Sequence, residues 1–383
     1  MVLIHARSVR GLNSRDVVHG AVLMTGASEN KDRAGLIDQL MSPYHGDAPG
    51  ASVLVIRGGA VVFRRAYGLA DLEQQVGATP ATNYRLASMT KQFTAAAVLL
   101  LEEDGRLSLD DRIRKWLPKL PGAVDSCTIR HLLTHVSGLI DYEELIPAGH
   151  SRQLADDDVL QLLESQDRTY FTPGARFRYS DSGYALLALI VGRAARTDFA
   201  SFLRRRIFFP LGMHGTVAYA PGAATIPERA FGYTSGGGCW TRTDQSLTSA
   251  VLGDGGVYSS IDDLARWDAA LYDARLLRTE SLRKAFTPAT ASEDPHVQYG
   301  CGWRITGETV WHSGETVGFR SVIVRYPRRA FTVVLLTNRN ALEPYSTALA
   351  IAKLYFADAD RIRASQVAVG PDSEAHPLPE SAL

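Results

Sequence analysis

The stretch ASMTKQFTAAAVLLL, Ala87 to Leu101, decides how this chain is read. Its apolar residues fall at helical spacing (Phe93, Ala96, Ala97, Leu100, Leu101), and nothing from Gln92 to Leu101 carries a charge. A helix of that kind is expected to be buried on most sides. Ser88 and Lys91 stand at its start, one turn apart on one face. That spacing suits a hydroxyl nucleophile whose proton passes to a neighbouring amine. The amine serves as a base only if it is neutral part of the time. Burial and the positive end of the helix are expected to push Lys91 that way.

Outward from this helix the pattern changes to strands. ASVLVIR, a Gly58-Gly59 turn and AVVFRRAYGLA, together Ala51 to Ala70, read as a hairpin. Between about Asp110 and Phe286 helical segments dominate, broken by Pro118, Pro121, Pro173, Pro210 and the SGGGC loop at 235–239. Thr128 is placed to cap a short helix, IRHLLTHV, that Gly138 closes. Strand patterns return in YGCGWRI, TVWHS, GFRSVIVRY and FTVVLLTN, and a helical stretch runs on from Ser346 to Phe356. Strands from both ends with a helical insertion between them predict an α/β (α+β) fold. One antiparallel or mixed sheet, flanked by helices, is completed by both ends beside a mostly helical second lobe. The expected division is a leader over 1–30, an α/β domain over 31–110 and 287–364, a helical domain over 111–286, and a tail over 365–383.

The composition narrows the partners. In 383 residues, 45% are apolar and 21% charged, as in an ordinary globular protein. Lys plus Arg equals Asp plus Glu at 41 each, so there is no general field for nucleic acid. No run of 18 uncharged apolar residues predicts a transmembrane segment. Cys127, Cys239 and Cys301 are too scattered for a disulfide framework or a zinc site, and they leave the compartment, cytoplasmic or periplasmic, open. Arg10 and Arg15 ahead of Val17–Ala27 are faintly similar to a signal peptide. The interrupting His19 and Gly20 favour a loosely packed or disordered leader instead.

Ser-x-x-Lys alone is a weak motif, because it recurs at Ser28–Lys31 and Ser281–Lys284 in charged surroundings, where the lysine would stay solvated. Its context is stronger. Tyr179-Ser180-Asp181 lies in PGARFRYSDSGYALLALIV, a loop feeding an apolar helix, and Trp311-His312-Ser313-Gly314 lies on a strand that ends in a glycine turn. With TIRHLLTHVSGL and GDGGVYSSIDDLARW between them, these ordered blocks span about 50 to 340. The series resembles the serine β-lactamase and penicillin-binding-protein superfamily. Within it, the chain is most similar to the branch of class C β-lactamases, D-alanyl-D-alanine carboxypeptidases, esterases and D-aminopeptidases.

The resemblance implies a β-lactamase/transpeptidase-like fold with a central antiparallel sheet, no cofactor and no metal. It implies a serine hydrolase acting on a small-molecule ester, peptide or β-lactam. Ser88 would form an acyl-enzyme, Lys91 would take or share its proton, and Tyr179 would act as general base and acid. The N–H groups of Ser88 and Glu315 would form the oxyanion hole, with Gly314 letting the strand approach. No Gly-x-Ser-x-Gly is present to support an α/β-hydrolase.

Two departures matter. Asp181 replaces the usual Asn; its charge would favour a protonated Lys91 and shift the role of base toward Tyr179, or it would only hold Lys91 in place. His312 replaces the strand lysine of β-lactamases and, beside Ser313, would attract a carboxylate less well. Both favour small esters or peptides over penicillins. A second reading is a β-lactam sensor that acylates and stalls, or a structural relative; oligomeric state stays open. His131 and His135 have a metal-capable spacing, but Leu132 stands where HExxH needs Glu, so a capping or packing role is expected. Gly236-Gly237-Gly238 is expected to be a flexible rim of the cleft, with Tyr233 or Trp240 near substrate. Asp110-Asp111 and Asp156-Asp157-Asp158 read as solvated helix starts, and Tyr142 as surface packing or, alternatively, as lining the pocket.

Overall fold

The computed structural model describes residues 31–368 except 220, 221, 223 and 224. The leader, the Ser28 motif and the tail past residue 368 lie outside the described residues. A helix over 31–40 belongs to one compact unit that ends at Pro43, and a second unit, which holds the sheet and the Ser88 helix, begins at Tyr44.

An eight-stranded antiparallel sheet organises the second unit. In chain order its strands are β1 (Ala51–Arg57), β2 (Ala60–Tyr67), β3 (Thr290–Ala291), β4 (Gln298–Tyr299), β5 (Arg304–Thr306), β6 (Thr309–Thr316), β7 (Phe319–Tyr326) and β8 (Phe331–Thr337). Their spatial order is β3-β4-β5-β6-β7-β8-β1-β2. The two ends of the chain therefore meet in mid-sheet, where Leu54 of β1 faces Val334 of β8. The run VLVI in β1 and all of β8 are buried on both faces, which explains unbroken apolar runs in place of alternation. Helix α8 (Pro344–Ala368) covers one face, where Phe331 meets Tyr355 and Phe356. On the other face Leu54, Ile323, Val334 and Leu336 share a core cluster with Met89 and Phe93. Edge strand β2 exposes Val61 and Val62 and carries Arg64 and Arg65, charges that discourage edge-to-edge pairing.

The helices that frame the site and its surroundings are α1 (Lys91–Glu103), α2 (Ile129–Leu133), α3 (Asp156–Glu164), α4 (Asp181–Ala195), α5 (Leu252–Gly255), α6 (Ile261–Ala270) and α7 (Thr279–Phe286). Helix α1 is buried from Lys91 to Leu101, as its uncharged run predicts. Thr128 caps α2, and the His131 side chain closes the capping box by accepting from Thr128 N. Lys284 in α7, from the third Ser-x-x-Lys, pairs with Glu102 at 3.0 Å. Between sheet and α6 lies a sealed ion pair, Arg325 to Asp268 at 2.7 Å.

The fold gives the glycine loop and Tyr233 a definite place, and it corrects the reading of Asp156. Gly237 and Gly238, both at positive φ, form the turn of a hairpin between Tyr233–Gly236 and Cys239–Arg242. Tyr233 is buried, with its hydroxyl donating to Glu73 at 2.5 Å and accepting from Leu72 N at 2.8 Å, and it does not line the cleft at Ser88 described below. Asp156 is no solvated helix start. It is buried and accepts from the N–H groups of Leu252 and Gly253, at 3.0 and 3.1 Å.

Candidate active site

A 3-10 turn, Ala87–Thr90, leads into α1 and presents Ser88, half-buried, at the helix start. Ala87 just before it sits at φ +48°, a left-handed conformation that costs a non-glycine residue about 1 kcal/mol. Lys91 is completely buried. Its Nζ donates to Ser88 Oγ at 3.2 Å, to Asp181 Oδ1 at 2.5 Å and to the Asp254 carbonyl at 3.0 Å. Burial does pull the Lys91 pKa down, but the Asp181 carboxylate, aided by Tyr179 and Asp254, outweighs it and the net shift is upward. The upward shift corrects the partly neutral lysine expected from burial and agrees with the protonated one expected from Asp181. Lys91 is an ammonium with all three donors engaged.

Tyr179 stands at the mouth of α4, whose N-cap is Ser180 and whose first residue is Asp181. Its N–H donates to Glu293 at 3.1 Å and its ring stacks on His135 at 4.3 Å between centroids. His135 in turn accepts from Ser180 N through Nδ1 at 3.1 Å, which assigns the ring proton to Nε2. His131 and His135 thus separate into a cap and a packing ring behind Tyr179. Lys91 Nζ lies 5.0 Å from the Tyr179 ring centroid, and the buried Tyr179 phenol faces Lys91 and Ser88. Burial raises the phenol pKa and Asp181 adds to the rise, while Lys91 and Ser88 pull it down without cancelling it.

Strand β6 closes the third side. A Cβ on Gly314 would come within 1.9 Å of the Leu86 carbonyl, so only glycine lets β6 press against the turn that carries Ser88. His312 is buried, and its Nδ1 lies 2.6 Å from the Ser313 carbonyl. That contact requires Nδ1–H, so Nε2 accepts from the Tyr299 hydroxyl at 3.0 Å. Burial, with Arg304 nearby, holds its pKa well below the ordinary value, and His312 brings no cation to the cleft. Ser313 is half-buried; Glu315 is exposed and pairs with Arg320 at 2.5 Å.

These parts surround a small, open cleft lined by Ser88, Tyr142, Glu143, Asp181, Asp254 and Glu315. Tyr142 takes the pocket-lining place that was the alternative to surface packing. It is buried, with its hydroxyl donating to Asp254 Oδ2 at 3.0 Å. Asp254 is the residue that sequence reasoning missed. Burial, then the nearby Asp181, pushes its carboxyl well above the usual range. The signal was present in GDGG, because a Cβ on Gly253 would meet the Tyr184 carbonyl at 2.2 Å and only glycine lets this segment dock on α4.

A large antiparallel sheet, helices on both faces and a Ser-x-x-Lys helix buried against the sheet define the β-lactamase/transpeptidase-like class. The profile of the Beta-lactamase family matches residues 34–357, and the chain belongs to that family, within the superfamily of serine β-lactamases and penicillin-binding proteins. Penicillin-binding protein 4* of Bacillus subtilis (strain 168) is 32% identical over 319 residues, covering 78% of this chain and 70% of that one. Among solved structures, the octameric penicillin-binding protein homologue from Pyrococcus abyssi aligns with a TM-score of 0.76 and 27% identity over 85% of this chain and 77% of that chain. The D-amino acid amidase from Ochrobactrum anthropi SV3 shares the fold, with a TM-score of 0.73 and 24% identity over 88% of this chain and 99% of that one.

Proposed function

We propose that this chain is a serine hydrolase that works through an acyl-enzyme on Ser88. The observation that carries the reading is Lys91 Nζ, sealed beneath the cleft, bonded to Ser88 Oγ at 3.2 Å with the Tyr179 phenol beside it. Ser88 attacks the substrate carbonyl, Lys91 and Tyr179 flank the hydroxyl proton, and Tyr179 delivers a proton to the leaving group. The N–H groups of Ser88 and Glu315 are assigned to the oxyanion hole; the contact of Gly314 with Leu86 supports this by bringing β6 to the Ser88 turn.

The preferred substrates are small esters and amides or short peptides. A neutral, buried His312 offers no charge for a substrate carboxylate, and Asp181 offers no amide donor for an acylamide oxygen, both of which disfavour β-lactams. Turnover of p-nitrophenyl acetate, abolished in Ser88→Ala while the thermal midpoint stays within about 3 °C, is the expected result. A single stoichiometric adduct with penicillin and no ester turnover would replace this reading with that of a β-lactam sensor.

A further inference from the structure

The resting site has a donor too many. An ammonium carries three N–H donors and no lone pair, and those of Lys91 are committed to Ser88 Oγ, Asp181 Oδ1 and the Asp254 carbonyl. Nζ therefore cannot receive the Ser88 proton unless it releases one of its own in the same event. Of its three partners, only the Asp181 carboxylate can keep a proton: a peptide carbonyl cannot, and Ser88 is the group that must lose one. Asp181 is also the nearest of the three, at 2.5 Å against 3.2 and 3.0 Å. With 30% of its side chain exposed, it can adjust to a change of charge.

We infer that Asp181 is the acceptor at the end of a two-proton relay that runs from Ser88 Oγ through Lys91 Nζ. The inference rests on the serine-hydrolase reading and deepens it. As the Ser88 Oγ–carbonyl carbon bond forms, the Oγ proton moves to Nζ and an Nζ proton moves to Oδ1. The carbonyl π pair becomes the oxyanion lone pair. Lys91 begins and ends as an ammonium, and Asp181 ends as a neutral acid. When the intermediate collapses, the bond to the leaving group breaks, Tyr179 protonates the leaving group, and the relay run backward carries the Asp181 proton through Lys91 to the Tyr179 phenolate beside it. The replacement of an amide by a carboxylate thus supplies a proton sink next to a lysine that the carboxylate itself keeps charged. Tyr179 is a poor alternative sink, because burial keeps its phenol protonated at rest and a phenol that holds its proton has no site for a second.

The ionisable groups facing Asp181 are Lys91 on α1, Tyr179 on its own segment, Asp254 on α5, and Asp141, Tyr142 and Glu143 on the turn before α3. All remain in Asp181→Asn, so the variant separates two mechanisms by direction. Asp181 raises the pKa of both Lys91 and Tyr179. If either of them were the final base, Asp181→Asn would move the acid limb of the acylation rate to lower pH. If Asp181 is the sink, the limb moves up. The measurement is the pre-steady-state burst of p-nitrophenolate from p-nitrophenyl acetate between pH 4 and 9. The relay predicts a limb at least one pH unit higher in Asp181→Asn, with at least a tenfold slower burst at pH 6. An unmoved or lowered limb overturns it. The wild-type chain gives a second test that does not depend on a variant folding: in mixtures of H₂O and D₂O, two protons in flight bow the plot of burst rate against deuterium fraction. A straight line also overturns the relay. Either failure leaves the serine-hydrolase reading standing while Ser88→Ala abolishes the burst; if Ser88→Ala still bursts, that broader reading falls instead.

Discussion

Arg325 meets Asp268 at 2.7 Å between β7 and α6, and Lys91 meets Asp181 at 2.5 Å between α1 and α4. Both cations are fully buried. Asp268 is sealed as well, whereas Asp181 keeps an exposed edge on the cleft. Arg325 is packed among the rings of Tyr272, Phe286 and Trp303 with its Nε on Asp268, and Thr332 also donates to Asp268. A guanidinium does not give up its proton, but an ammonium can. The comparison teaches that a buried ion pair is a brace when its cation is fixed and its anion enclosed. It becomes a proton path when the cation can exchange and the anion reaches solvent.

The largest break in that comparison is Asp268→Ala. It strands a buried guanidinium, and the expected cost is about 3–5 kcal/mol in urea unfolding, with ester turnover per folded molecule unchanged. A loss below about 1 kcal/mol would show that the pair is no brace. Lys91→Met should give the opposite pattern. Acylation should fall by about 10³-fold, while stability changes by less than about 2 kcal/mol because Asp181 can turn toward water. A large unfolding penalty there would make the two pairs alike.

Asp156 sharpens the contrast on a smaller scale, as a buried acid that pairs with no cation among the described residues. Burial lifts its pKa to about 7, although the N–H groups of Gly253 and Leu252 pull it down. The folded value lies above the ordinary aspartate value of about 3.9, so the native state binds the proton more tightly. The stabilisation is complete below about pH 4 and is lost as pH rises through about 7. Asp156→Asn should flatten that part of the stability profile, measured by urea unfolding at fixed pH values. An unchanged slope would mean that another group titrates there.

Elements whose burial comes from local pattern were legible. The charge-free run after Lys91 forms a buried helix, VLVI and VVLL form strands covered on both faces, and Thr128 caps α2. Residues whose surroundings come from distant segments were less legible. Tyr142 and Asp156 sit in polar stretches that look solvated, yet α5 packs over both and takes their hydrogen bonds. Tyr233, beside a run of glycines, is held by Glu73 from 160 positions away.

The order of motifs and the periodicity around them determined, from the sequence by itself, which helix carries Ser88 and Lys91 and which strands meet to form the sheet. Only the tertiary structure decided the charge on Lys91. Its partners lie 90 and 163 positions away along the chain, and their approach, together with the exclusion of water, exists only once α1, α4 and α5 are packed. Desolvation and ion pairing act in opposite directions on a lysine, so the sign of their sum depends on distances that no local pattern encodes.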